Sequence, residues 1–373
     1  MATNFPQDFE FPKDFRLPDR FAIRMRWLVL LAALVAVIVA LAFLKSVYVD
    51  WLWFGSMGFR GVFVRILTAR VILFLVGGAS FGLILGVSAY LANRLSSGPE
   101  HTPLPQAARG FLQGLKTWGT IIAGLVLSIV FGVVLASQWE PFLKFWNGST
   151  FGIADPVFNK DVSFYVFSMP ILSVVHSWLL GAAFAILLAT LGVYFVNYTF
   201  RGVGFLVTPG LKIHVSIIAA LIMFIVAFGH WLGRWDLVLS DHGAVFGVAF
   251  TDDNARKPAL LVLTIIAAAS GILILVNAYL KGIRLLAGGL GLWVVATVLL
   301  TVAWPNFVQQ FTVTPNEFVK EQPYIARNID FTRRGFGLES VIEEPYAAVP
   351  GLDAALIEGN PQTIENIRLW DSG

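Results

Sequence analysis

Seven runs of mostly apolar residues, near 27–48, 71–92, 118–137, 171–196, 212–233, 259–280 and 283–304, alternate with short polar stretches before the pattern stops at Trp304. A helix needs about 20 apolar residues to cross a hydrocarbon core, and each run reaches that length. The pattern predicts an all-α integral membrane protein with seven transmembrane helices. Its boundaries are a cytoplasmic tail over 1–26, a membrane domain over 27–304 and an extracytoplasmic tail over 305–373.

The stretches between the runs carry further expectations. Aromatic rings crowd Asp50-Trp-Leu-Trp-Phe54, as they do at a membrane–water boundary. Residues 59–70 follow as an interfacial helix. There Arg60, Arg65 and Arg70 recur every five positions, so they spread around the helix and snorkel to headgroups. The connection from Ser96 to Pro105 is rich in turn residues, and that near Gly202 and Gly204 is short. The long aromatic connection 138–170 predicts an interfacial or re-entrant cap, because long structureless loops are uncommon. Gly243–Phe250 is short enough for a strand, admissible only if its edges are buried in protein or meet water. The connection around Gly282 is too short for anything but antiparallel neighbours.

After Trp304 the chain turns polar. Thr314-Pro-Asn-Glu317 predicts a helix start, 323–334 a helix with Ile325 and Ile329 on one face, Gly335 a stop, and Pro361 through Trp370 the first turns of another helix. Too few apolar residues lie here to close a core, so this short extracytoplasmic α-helical segment is expected to rest on the membrane part or to begin a larger, truncated domain.

Composition agrees with a bilayer: 57% of residues are hydrophobic and 13% charged, with a mean hydropathy of +0.76. The net charge of +3 does not signal nucleic acid, because the cations sit at helix ends. Lys13, Arg16, Arg20, Arg24 and Arg26 precede the first run, Arg94, Arg109 and Lys116 fill the second connection, Arg201 and Lys212 the fourth, and Lys281 and Arg284 the sixth. Asp50, Glu140, Asp155, Asp161, Asp236, Asp241, Asp252 and Asp253 occupy the alternate connections. The positive-inside rule then gives a cytoplasmic N-terminus and an extracytoplasmic C-terminus in a multipass cell-membrane protein. The first run lacks a small-residue cleavage site and is expected to stay as an anchor. With no cysteine, disulfides, thiolate metal sites and thiol nucleophiles are excluded.

Chemistry-bearing residues gather at the outer end of the fifth run: His230, Trp231, Arg234, Trp235, Asp236, Asp241 and His242. Imidazole and carboxylate suit zinc or manganese, which makes His230, Asp236 and His242 a candidate metal set. A salt bridge from Arg234 to an aspartate explains the same residues. His214 and His176 lie in or beside membrane helices, where an ionisable group is a functional candidate by default. Sixteen residues separate His214 from His230, so they occupy nearly opposite faces and form no relay. Gly77, Gly78, Gly82, Gly86, Gly288, Gly289 and Gly291 suit close helix packing.

Several stretches also carry a resemblance: Asp50–Phe54, Asp155–Pro170, Phe250-Thr-Asp252, Val313–Asn328 and Glu365–Asp371. In this order, and over essentially the whole chain, they resemble a bacterial multipass membrane family catalogued only as uncharacterised, number one-eighty-two. The resemblance implies a seven-span N-terminal half and a large non-cytoplasmic half, since similar proteins run on for hundreds of residues past the last motif; it implies no activity or cofactor. The leading functional expectation is a membrane scaffold or anchor, with the bilayer and other membrane proteins or further copies as partners. The rival is a transporter or channel component using Arg70, His214, His230 and Arg234. A metal-dependent surface enzyme is the third.

Overall fold

The computed structural model describes residues 19–96, 106–201, 207–280, 284–342, 344–345, 351 and 353–367. The tail before residue 19, the turn-rich connection at 97–105, the connections around Gly202 and Gly282, and the end through Gly373 lie outside the described residues.

The described residues are mostly helical. In order they form α1 (Asp19–Ser56), α2 (Arg60–Leu95), α3 (Gln106–Ser137), α4 (Trp139–Trp146), α5 (Met169–Phe200), α6 (Pro209–Asp236), α7 (Lys257–Tyr279), α8 (Arg284–Val298), α9 (Trp304–Val308), α10 (Glu317–Gly335), α11 (Ala354–Glu358) and α12 (Pro361–Glu365). Their ends follow local chemistry. Gly58, at φ +78°, makes the turn from α1 to α2, a left-handed conformation that glycine adopts without steric cost. Thr208 caps α6 by accepting from the Leu211 amide at 3.3 Å, with Pro209 at the first helical position.

Six helical segments among the described residues are long and apolar enough to cross a membrane: Arg60–Leu95, Gln113–Ser137, Phe164–Phe200, Pro209–Leu239, Asp252–Tyr279 and Ala287–Gly335. The first run of the sequence, 27–48, lies within α1 but is not among these six.

Two expectations about the connections are corrected. The interfacial helix over 59–70 is the start of α2, because no proline or glycine pair separates Arg60 from Val71 and the backbone hydrogen bonds run on. The strand over 243–250 is absent: the chain turns through Leu237–Leu239, bends past Gly247 at φ +109°, and re-enters helix at Phe250. A lone strand would leave an edge of amides unpaired; in the bend the Gly247 amide instead donates to the Ser240 carbonyl at 2.8 Å and the Ala249 amide to Asp252 at 3.3 Å. The polar change at 304 does not break the helix either. π-helical turns at Leu299–Ala303 and Gln309–Val313 carry it from α8 through α9 to α10.

The chain divides into two compact units, Met1–Tyr324 and Ile325–Gly373. In the first, α6 packs between α5 and α7. Phe81, Leu85, Ala183, Ile186, Ile218 and Ile222 close the α2–α5–α6 core, and Ala220, Met223, Ala227, Ala267 and Ile274 close the α6–α7 core. Ser270 on α7 donates to the Gly289 carbonyl on α8 at 3.0 Å, so the last two apolar segments are neighbours. The α2–α3 contact depends on glycine. A Cβ on Gly132 would stand 2.8 Å from the Phe74 carbonyl, and one on Gly78 3.0 Å from that of Ser128. In the second unit Arg334 pairs with Asp330, and Asp353 caps α11 through the Leu356 amide at 2.8 Å. None of its described residues is buried, in keeping with the shortage of apolar residues.

Candidate functional site

The densest set of buried charge lies where α7 begins. Asp252 and Asp253 occupy the first turn of a helix, where the partial positive charge of the amides favours carboxylates. Asp252 is 0% exposed and accepts from the Ala249 amide at 3.3 Å and from Arg256 Nη1 at 2.6 Å. Asp253 pairs with Lys257 and accepts from the Tyr324 hydroxyl at 3.1 Å. Asn254 Nδ2 donates to the same hydroxyl at 3.3 Å.

Against this turn lies the segment that follows α9. Glu321 is 1% exposed and its Oε2 accepts from the Phe250 amide at 3.1 Å. Thr251 donates to the Gln309 side chain, and the Lys320 ammonium stands 5.1 Å over the Phe250 ring. Hydrogen bonds from Phe250, Thr251 and Asn254 and to Asp253, with the Lys320 ammonium over Phe250, thus knot residues 249–257 to residues 309–324, and Arg256 and Lys257 neutralise the two aspartates within the turn. Buried polar groups of this kind are costly unless satisfied, and these have partners.

A second polar group lies inside the bundle. The Ser88 hydroxyl is 2.6 Å from that of Thr190 and 3.2 Å from His214 Nε2, while His214 Nδ1 is 3.2 Å from the Tyr194 hydroxyl. These residues of α2, α5 and α6 are all buried, and both ring nitrogens of His214 have partners. His176 Nε2 lies 3.1 Å from the Ile225 carbonyl. A Cβ on Gly229 would come within 2.5 Å of the same nitrogen, so α6 needs glycine where the ring crosses it.

The candidate metal residues are placed apart in their bonding. His230 Nε2 accepts from the Trp293 indole at 3.2 Å, and His242 Nδ1 lies 3.1 Å from the Ser240 hydroxyl and 3.5 Å from Asp241. Asp236 ends α6. Among the described residues no group of three or more His, Cys, Asp or Glu stands ready to hold a metal ion. Arg234 does not pair with an aspartate among the described residues; its guanidinium stacks 3.5 Å over the Trp231 ring. Arg70 lies 5.3 Å over Trp139, an aromatic seat for a cation at a helix end.

The aromatic connection between α4 and α5 is built on two aspartates. Asp155 accepts from the Val157 and Phe158 amides at 3.0 and 2.7 Å and from the Tyr165 hydroxyl at 2.9 Å. Asp161 accepts from the Phe151, Gly152 and Ser163 amides at 3.1, 2.8 and 2.8 Å. Its carboxyl is drawn down to about 2 by the Ser163 side chain first and then by these amides, against a small opposing effect of desolvation. Lys160 reaches over Phe164 and Trp235, joining this loop to the end of α6.

Glu321, Tyr324 and Gln309 had no place among the candidates read from the sequence. Their signal was indirect: Phe250–Asp252 and Val313–Asn328 are two of the stretches that carry the resemblance, and they bind each other.

No solved structure matches the chain. Among curated relatives it is similar to a UPF0182 protein of Thermobifida fusca, 33% identical over 91% of this chain and 34% of the relative. A UPF0182 protein of Frankia casuarinae is 34% identical over 91% of this chain and 34% of its own length. That of Pelotomaculum thermopropionicum is 35% identical over 87% and 37%. The chain spans about a third of the length of these relatives. Residues 27–373 match the uncharacterised protein family UPF0182, and with the helical, membrane-crossing build described above the chain belongs to that family.

Proposed function

We propose that this chain is a membrane scaffold or anchor: a seven-span bundle, with α1 as the first span, that holds the segment after Trp304 in a set direction at the extracytoplasmic face of a bacterial cell membrane. The observation that carries the reading is the knot between Phe250 and Glu321. It fastens the segment after α9 to the loop before α7 by partly buried hydrogen bonds, which suits a fixed mount. The basic helix ends support the orientation, and the aromatic, aspartate-braced loop before α5 supports a firm outer surface.

Two experiments test the proposal. A tag after Gly373 should be removed by protease added to intact spheroplasts, and protection of the tag would overturn the orientation. Because the chain has no cysteine, Thr251→Cys and Gln309→Cys can be joined by a short bis-maleimide. The joined protein should still complement a deletion strain. Loss of complementation would point to a moving part.

A transporter or channel component is the second reading, favoured by the polar string Ser88, Thr190, His214 and Tyr194 inside the bundle. His214→Leu, and Arg234 with His230 replaced together, would then abolish flux; an unchanged growth phenotype in both would count against transport.

A further inference from the structure

Two sets of glycines on α2, α3 and α5 stand in contrast. Gly77, Gly78 and Gly132 have no room for a side chain, since each would meet a neighbouring carbonyl at 2.8 to 3.1 Å. Gly86, Gly119 and Gly192 have nothing within 4 Å of an added Cβ, although each belongs to an apolar membrane helix. Helix contact explains the first kind. The second kind lines a groove of about 1010 Å³ between the three helices.

The groove is graded along its length. At one end it is lined by Lys116, Asn93 and Thr120, near the polar ends of α2 and α3; at the other it reaches Ser128 and Gly82, well inside the apolar segments. Twelve residues separate Lys116 from Ser128 on α3, a rise of about 18 Å. That is close to one leaflet, half of the ~30 Å hydrocarbon core. Lys116 is half-buried, and among the described residues no carboxylate pairs with it.

We infer that the groove between α2, α3 and α5 is a binding slot for one anionic phospholipid, its acyl chains along Gly86, Gly119 and Gly192 and its phosphate at Lys116. A basic mouth at helix-end depth with an apolar slot one leaflet deep complements the charge and the length of such a molecule. A wholly apolar protein segment would fill the slot but leave the ammonium without a counter-charge. Lipid headgroups are known to seat in basic pockets between membrane helices on the cytoplasmic side, where sequence charge places this mouth. The slot also gives Gly86, Gly119 and Gly192 a use that helix contact does not.

The test uses the full chain purified in detergent, with 1-palmitoyl-2-oleoyl-phosphatidylglycerol and the corresponding phosphatidylcholine as probes, and native mass spectrometry to count retained lipid. The wild type should hold one phosphatidylglycerol about fivefold more firmly than phosphatidylcholine, the factor expected of a single lysine at the surface. Lys116→Gln should bring the two lipids level. Gly192→Leu fills the slot without a backbone clash and should lower retention of both lipids, while Gly192→Ala, carried as a folding control, should keep them. Equal retention of the two lipids by the wild type overturns the inference, and so does undiminished retention in Gly192→Leu when thermal unfolding matches that of Gly192→Ala. A Gly192→Leu variant that changes oligomeric state and not lipid content assigns the groove to another copy of the chain and also overturns it.

Discussion

The carboxylate of Glu321 accepts a hydrogen bond from the backbone amide of Phe250 at 3.1 Å while being almost wholly shielded from solvent. These residues are 71 positions apart, and their contact ties the segment after α9 to the turn before α7. Removing the acceptor leaves a half-buried N–H without a partner. Glu321→Ala should lower stability by about 1–3 kcal/mol. Glu321→Gln keeps an acceptor oxygen and should lose less. Thermal unfolding in detergent, with proteolysis of the 309–324 segment as the local readout, separates them. An alanine variant that melts with the wild type and resists protease equally would show that the contact contributes nothing.

Asp252 and Arg256 form the most buried ion pair of the knot, with side chains 0% and 24% exposed. Breaking such a pair from one side strands a charge, a loss of about 3–5 kcal/mol when burial is complete. Arg256 keeps some solvent, so Asp252→Asn should fall near the lower end of that range. Asp252→Asn combined with Arg256→Met should lose less than the sum of the single changes, since neither variant group is then an orphaned ion. Additive losses in urea or thermal unfolding would mean the two side chains act independently.

The membrane character was plain in the apolar runs because about 20 uncharged residues in succession suit little else than a spanning helix. The stop of α10 was equally local: the helix ends at Gly335, and the chain turns away at Gly337, φ +67°. What eluded the pattern depended on partners distant in sequence. Nothing near Glu321 announces that its acceptor will meet Phe250. Arg234 differs: its seat is local, the Trp231 ring one helical turn earlier, and the sequence offered nearby aspartates as an equally local alternative. The helix expected at 59–70 was read as separate from the run that follows it, and in the structure the two are one helix, because nothing between Arg60 and Val71 interrupts the backbone hydrogen bonds. The knot's two halves were visible only as motifs, without the distance that joins them.

The glycines of α3 should respond in opposite directions to one substitution. Gly132→Ala drives a methyl to 2.8 Å from the Phe74 carbonyl and 3.0 Å from its ring, so α2 and α3 must separate. Overpacking of this kind typically loses about 1–3 kcal/mol. Gly119→Ala meets nothing within 4 Å and gains the helix preference of alanine, up to about 1 kcal/mol. Melting temperatures of the two variants beside the wild type decide the matter. Equal shifts would remove the distinction between packing and groove glycines.

Asp161 gives the loop before α5 a dependence on acid. Its carboxyl, at about 2 in place of the ordinary 3.8, is held ionised chiefly by the Ser163 side chain and then by the backbone amides of Ser163, Phe151 and Gly152. A carboxylate whose folded value is depressed contributes stability in full above its ordinary value, and the contribution disappears as pH falls through the folded value. The loop should therefore stay closed from neutral pH down to about 4 and open progressively between about 4 and 2. Amide exchange at Phe151, Gly152 and Ser163, corrected for the intrinsic pH dependence, reads the opening directly. Asp161→Asn keeps one acceptor oxygen but loses the charge, so its loop should exchange faster at neutral pH and show little further change on acidification. Other carboxylates also take up protons in this range, and the comparison between the two proteins isolates the share that belongs to Asp161. Superimposable pH profiles for wild type and Asp161→Asn would show that the three amides are held by the loop's backbone geometry and not by this charge.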